Sequence, residues 1–189
     1  LPGAKIGVVG PNGAGKSTYV RAVLVPATRL PFINADEIAA SRWPEAPAEH
    51  SYEAAQVAES LRRDRFAERA SFISETVFSH QSKIQLVSDA VDFGYLVHLH
   101  VVMVPVELAV QRVLDRVGRG GHTVPEHKIR ERYDRLWSNI AAAVQIADIA
   151  EVFDNASARV PFRLCATYRH GSLVGTPEWP AWAPAVFRA

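Results

Sequence analysis

The sequence predicts an α/β fold, a mainly parallel sheet sandwiched by helices, and two observations carry that prediction. Short apolar segments alternate with helix-length amphipathic or charged segments along most of the chain, the pattern of strands joined by helical crossovers. The stretch "KIGVVGPNGAGKST", residues 5–18, reads as a buried strand, a glycine-rich turn and the start of a helix. In order, Lys5–Val9 is a strand and Lys16–Val25 the helix after the turn. Pro26 and Pro31 then punctuate the way to a short strand, Phe32–Asn34. The proline-bearing "SRWPEAPAEHS" separates it from a helix reaching from near Ser51 to Ala70, whose many Arg and Glu side chains face water. "SFISET" is strand-like through Glu75, and a helix near Ser82–Val91 stops at Gly94. Tyr95–Val104 is the most hydrophobic run, as expected of a central strand buried on both faces. A helix over Val106–Val117 leads into "GRGGHTVPE", and another resumes at Glu126 and continues to just before Asp148. "EVFDN" is a further strand, "FRLCATY" an edge strand, and the region from about 170 to 189 a proline-punctuated irregular tail.

Composition bounds the function. The chain has 189 residues, 48% of them hydrophobic, enough for one domain over residues 1–189 with a sizeable core. Basic and acidic side chains nearly cancel, 21 against 20, so no molecule-wide field is available to hold nucleic acid or an anionic membrane. The single cysteine, Cys165, cannot form an internal disulfide. No apolar run reaches membrane-spanning length and the chain opens on a strand, which gives the expectation of a soluble cytoplasmic protein.

Gly10, Gly15, Lys16 and Ser17 complete the pattern GxxxxGKS. A turn of small residues lets successive backbone N–H groups converge on phosphate oxygens while the following helix presents its positive end. Lys16 adds a mobile cation at the transferred phosphate, and the Ser17 hydroxyl is placed to bind Mg²⁺. Because the pattern follows a strand and opens a helix, the fold is of the P-loop NTPase type. ATP is then held by Gly10, Asn12, Gly13, Ala14, Gly15, Lys16, Ser17 and Thr18.

Whether the phosphate is transferred depends on an acceptor site. There is neither an NKxD base-reading element nor an LSGGQ-like segment. Asp36, just beyond the second strand, falls at a carboxyl strand end on the rim of the cradle. It reads either as the base that takes a proton from an attacking hydroxyl or as a first-turn acid capping a short helix. Glu75 and Thr76 end the third strand and read either as ligands of a polyhydroxylated substrate or of a water on Mg²⁺, or as a cap of the next helix. Arg112 and Arg116 share a helix face, Arg119 follows in the glycine-rich segment, and Arg130, Arg132 and Arg135 lie beyond. Residues 117–132 therefore have the build of a lid that closes over nucleotide and delivers guanidinium groups, with Arg119 on the nucleotide. "DFG" at Asp92–Gly94 reads as a helix end. His98 and His100 share a strand face with no third ligand nearby in sequence, and read as hydrogen-bonded core or crevice histidines.

"GPNGAGKST", "PFINADEIA", "SETVFSH", "VELAVQRVLDRV", "GGHTVPEHKIRERY" and "FDN" together resemble the short branch of the zeta-toxin family of P-loop kinases, over about residues 5–157. The resemblance implies an ATP- and Mg²⁺-dependent transfer to a sugar hydroxyl, as on UDP-N-acetylglucosamine. It also implies Lys16 as the phosphate lysine, Asp36 as the base, Glu75 and Thr76 in the substrate pocket, and Arg116 and Arg132 on the ATP phosphates. A small antitoxin protein is the partner it implies. Two other readings remain open: a kinase of nucleic-acid ends, against which the near-neutral charge weighs, and an ATP-gated interaction protein whose lid only orders on binding.

Overall fold

The computed structural model describes residues 3–117 and 125–188, excepting the side chains of residues 116 and 117. Seven strands form one sheet: β1 (Ala4–Val9), β2 (Phe32–Ile33), β3 (Phe72–Thr76), β4 (Leu96–Met103), β5 (Ile149–Asp154), β6 (Arg163–Arg169) and β7 (Ser172–Val174). Their order is β2-β3-β1-β4-β5-β6-β7. The first five are parallel, and β6 and β7 add antiparallel pairs at one side. This is the mixed α/β sheet flanked by helices that the alternation predicts. "FRLCATY" is therefore an interior strand; β7, which lies in the stretch expected to be irregular, is the edge.

β1 and β4 are central because their sequences can be buried from both sides. Val8, Val9, Val97, Leu99 and Met103 are fully buried, joined by Phe72 and Ile73 of β3 and by Leu136 and Ile140 from a long covering helix. That helix, α7 (Glu126–Ile146), is anchored by Tyr133, whose hydroxyl donates to the Val104 carbonyl at 2.8 Å, and by Asn139, whose Nδ2 donates to the Phe78 carbonyl at 2.9 Å. α5 (Ser82–Asp92) packs beside it, and α6 (Val106–Val117) precedes it in the chain. Phe187 of the tail is buried edge-on to Trp137.

Three boundaries differ from the sequence reading. The helix after the glycine-rich turn does not stop at Val25. It runs as α1 (Lys16–Tyr19), a π-helical turn (Val20–Leu24) and α2 (Val25–Thr28), because the wider turn just before Pro26 accommodates a residue that would break an ordinary helix. An eight-residue helix, α3 (Ala35–Arg42), follows β2 directly. The next helix, α4 (Ser51–Ala67), ends before Ala70, and the Tyr95 hydroxyl donates at 2.6 Å to the Arg65 carbonyl, one of its last acceptors. Of the lid region 117–132, residues 118–124 lie outside the described residues, and Glu126–Arg132 are the first turns of α7.

Candidate nucleotide-binding site

The cradle is built where β1 ends. Gly15 caps α1 at φ 87°, and a Cβ there would lie 2.6 Å from Asn155 Nδ2. Only glycine meets both conditions at once. Glycine as cap brings no side chain of its own to the first turn of α1, the positive end of a helix where an anion is favoured. The loop is held from outside. Asn155, just past β5, donates from Nδ2 to the Ala14 carbonyl at 2.8 Å, and Arg112 of α6 donates to the Gly13 carbonyl at 3.3 Å and the Asn155 carbonyl at 3.2 Å. A backbone so tied keeps its N–H groups converged before any ligand arrives. Asn12 lines a small cleft with Pro11, Val77 and Arg132, and Thr18 is exposed on the first turn of α1.

One carboxylate joins this loop to its neighbours. Glu75 Oε2 accepts from the Ser17 hydroxyl at 2.7 Å and from Asn34 Nδ2 at 2.9 Å, while Oε1 lies 3.7 Å from Lys16 Nζ. Lys16, only 5% exposed, also donates to the Pro11 carbonyl at 3.0 Å. Register explains the meeting: Val8 and Val9 of β1 pair with Glu75 and Thr76 of β3, and Ile33 of β2 pairs with Ser74. Three parallel strands thus end at one level, and the residues just past their ends share a crevice.

Asn34 does two things there. Its Oδ1 accepts from the Glu37 N–H at 3.1 Å, which makes it the N-cap of α3, and its Nδ2 reaches Glu75. The cap of this helix is therefore Asn34 and not Asp36, since an Asx side chain answers the N–H three residues on from the position before the helix. Asp36 is exposed in the first turn of α3. Thr76 follows Glu75 at the half-buried end of β3.

The arginines separate by partner. Arg130 is engaged on the surface by Glu107, through two hydrogen bonds of 2.7 Å, and by Glu126 at 2.8 Å. Arg135 pairs with Glu131 at 3.3 Å. Arg132 is exposed at the cleft it shares with Pro11 and Asn12, beside the cradle. Arg119 and the side chain of Arg116 lie outside the described residues. Sequence reasoning missed Asn34 and Asn155 as parts of this site. Asn34 had a readable signal, a cap residue ahead of "ADE"; Asn155 stood in the "FDN" motif after a strand, with nothing to place it on the loop.

A second polar cluster lies on the same sheet face. His98 Nε2 is 3.1 Å from Glu151 Oε2, and His100 Nδ1 is 2.9 Å from the Tyr19 hydroxyl and 3.7 Å from that same carboxylate oxygen. Burial, and then His98, push the His100 imidazole down to about 3. A third residue with a ligating atom, Glu151, is thus close to the two histidines, contrary to the expectation from sequence spacing.

Residues 6–137 match the model of a family described as an AAA domain. The chain belongs to the AAA domain family. A curated relative of this AAA domain chain, an uncharacterized protein of Haemophilus influenzae, is 32% identical over 125 residues, 66% of the present chain and 88% of that protein. Among solved structures, the AvrRxo1-ORF1:-ORF2 complex superposes with a TM-score of 0.70 at 15% identity over 92% of this chain and 61% of that one. The chain thus spans about three fifths of that relative's length. The PezAT chromosomal toxin-antitoxin system of Streptococcus pneumoniae gives a TM-score of 0.61 at 14% identity, covering 92% and 70% of the two chains. Shikimate kinase from Acinetobacter baumannii, in complex with shikimate, gives 0.53 at 20% identity, covering 84% and 86%. At these identities the likeness is one of fold, a mainly parallel α/β sheet flanked by helices. Among the described residues no helix is long and apolar enough to cross a membrane.

Proposed function

We propose that this chain is an ATP- and Mg²⁺-dependent phosphotransferase that moves the γ-phosphoryl group to a hydroxyl of a small molecule. A nucleotide sugar such as UDP-N-acetylglucosamine is the first acceptor to assay. The observation that supports this reading is the Glu75 carboxylate, which ties Lys16 and Ser17 of the cradle to Asn34, the residue that opens the helix carrying Asp36. A nucleotide binder that only switches needs the first half of this arrangement; a transferase needs both.

In this mechanism the backbone N–H groups from Asn12 to Thr18, with Lys16, hold the β- and γ-phosphates. Ser17 Oγ and Glu75 Oε2, 2.7 Å apart, are hard oxygen donors of the kind Mg²⁺ takes. The ion supplies charge neutralisation on the phosphates when bound. Glu75 and Thr76 contact the acceptor. Asp36 takes the proton of the acceptor hydroxyl as its oxygen bonds to the γ-phosphorus and the bond from that phosphorus to the ADP oxygen breaks. Arg132, with Arg116 and Arg119, offsets the charge on the transferring group.

The test is to incubate the protein with γ-labelled ATP and a metabolite extract and to identify the labelled product. Asp36→Asn keeps ATP affinity and lowers transfer by about 100-fold or more, the ordinary contribution of a positioned base. Transfer that survives this substitution overturns the assignment. Toxin-antitoxin systems among the neighbours make a small protein antitoxin the partner to seek, by co-purification with the product of an adjacent reading frame. Use of ATP and the near-neutral charge fit a cytoplasmic protein without affinity for nucleic acid.

A further inference from the structure

We propose that His98, His100 and Glu151 form a binding site for a divalent transition ion of the zinc class, separate from the nucleotide site. The three residues come together through sheet register. His98 and His100 are two apart on β4 and project from one face, and Glu151 of the adjacent parallel strand β5 stands directly beside His100. The ligand atoms of the three all lie within 4.8 Å of one another. The Glu151 oxygen is 3.1 Å from His98 Nε2 and 3.7 Å from His100 Nδ1. Ligands held at about 2.0–2.1 Å from one tetrahedral ion are about 3.3 Å apart, close to the separation that His98 Nε2 and the Glu151 oxygen already have. Two imidazoles and a carboxylate suit zinc and its late first-row neighbours and do not suit Mg²⁺.

His100 supplies an independent observation. It is 4% exposed, and its Nε2 is buried without a hydrogen-bond partner among the described residues. Buried polar atoms are ordinarily satisfied, so one left over beside two other ligating groups points to something that completes it. With Nε2 as the ligating atom, the Tyr19 hydroxyl, 2.9 Å from Nδ1, holds the ring through its other nitrogen, as the partners of metal-bound histidines do. Phe153, its ring 5.7 Å away and nearly parallel, walls the ring from the other side. His98 and Glu151 keep 24% and 27% of their side-chain surface exposed, which leaves a way in from solvent. The site is distinct from the nucleotide cradle: Val8 lies in register between Glu75 on β3 and His100 on β4, placing these two strands' residues about 10 Å apart.

The experiment uses chelator-treated protein without nucleotide, titrated with Zn²⁺ by calorimetry and with Co²⁺ by visible absorption. The expected result is one saturable ion per chain and a Co²⁺ spectrum of low coordination number. His98→Ala and Glu151→Gln, both at partly exposed positions, should retain the circular dichroism of the parent and weaken binding by at least about 100-fold, since loss of a residue that merely hydrogen-bonds a ligand costs about 10- to 100-fold. Replacing His122 and His127 together, or His50 and His170 together, leaves binding in place. Absence of a saturable event overturns the proposal, as does binding that survives in His98→Ala and Glu151→Gln or disappears with either control pair.

Discussion

Asn34 holds two elements together with one side chain, and its two contacts can be removed separately. Asn34→Ala deletes the N-cap of α3, worth about 1 kcal/mol, and the 2.9 Å hydrogen bond to the Glu75 carboxylate, worth about 1.5–3 kcal/mol for a charged acceptor. The sum is about 2.5–4 kcal/mol. At about 2–4 °C per kcal/mol for a chain of this length, the melting temperature falls by roughly 5–15 °C. Asn34→Ser keeps an oxygen for the Glu37 N–H but is too short to reach Glu75, so it loses only the second part. Urea unfolding of parent and both variants, with m-values checked for constancy, measures the two steps. An Asn34→Ala variant within about 0.5 kcal/mol of the parent, the range of an uninvolved surface position, or an Asn34→Ser variant that costs as much as Asn34→Ala, rules out the double role of this side chain.

Gly15→Ala should cost about 1–3 kcal/mol and abolish ATP binding, because it forces a left-handed φ of 87° on a side chain whose Cβ meets Asn155 Nδ2 at 2.6 Å; isothermal titration with ATP and a melting curve check it, and unchanged affinity contradicts it. Burial, and then Arg62, hold the Lys5 ammonium down to about 7, while its Nζ donates to the Leu86 carbonyl at 3.0 Å. The unfolded chain, with a lysine value of about 10.4, therefore binds more protons than the folded one between about pH 7 and 10, and stability rises with pH across that window and is flat below it. Relative to Lys5→Met, the parent should gain up to about 3 kcal/mol between pH 7 and 9.5, at about 1.4 kcal/mol per pH unit; a flat or falling difference counts against the burial argument. Arg130→Ala should change stability by less than about 1 kcal/mol in urea and leave ATP affinity alone, since its Glu107 and Glu126 pairs are solvent-exposed.

What could be read from the sequence was whatever is local. β1, the cradle and the start of α1 follow from one run of adjacent residues, β4 from a long apolar segment, and the span of α7 from the stretch that resumes at Glu126 and runs through an alanine-rich segment to before Asp148. The π turn before Pro26 was illegible because proline normally signals a stop, and the chain instead spreads the backbone of one turn. β7 is too short and too exposed to leave a pattern. His98 and His100 were visible as a pair, yet Glu151 was not visible as their neighbour. Its nearness depends on β5 pairing with β4 in one register, and strand order is not contained in either strand's own residues.

The same distinction governs the candidate site. The motif from Gly10 to Ser17 states that a phosphate can be held, but the residues that fix the loop's shape come from far along the chain: Glu75, Arg112 and Asn155. Each makes its contact only after β3 has paired with β1, β5 has paired with β4, or α6 has come against the loop at Gly13, so the cradle becomes rigid as a consequence of global folding and not before it. Preorganisation of this kind lowers the cost of ordering N–H groups around a phosphate. It also means that a substitution at Asn155, outside the motif altogether, should weaken ATP binding in the manner of a substitution within it. Tyr19 extends the linkage. Two residues beyond Ser17 on the same helix, it meets His100, so the face of the sheet that receives the nucleotide helix on one side of Val8 receives the histidine cluster on the other.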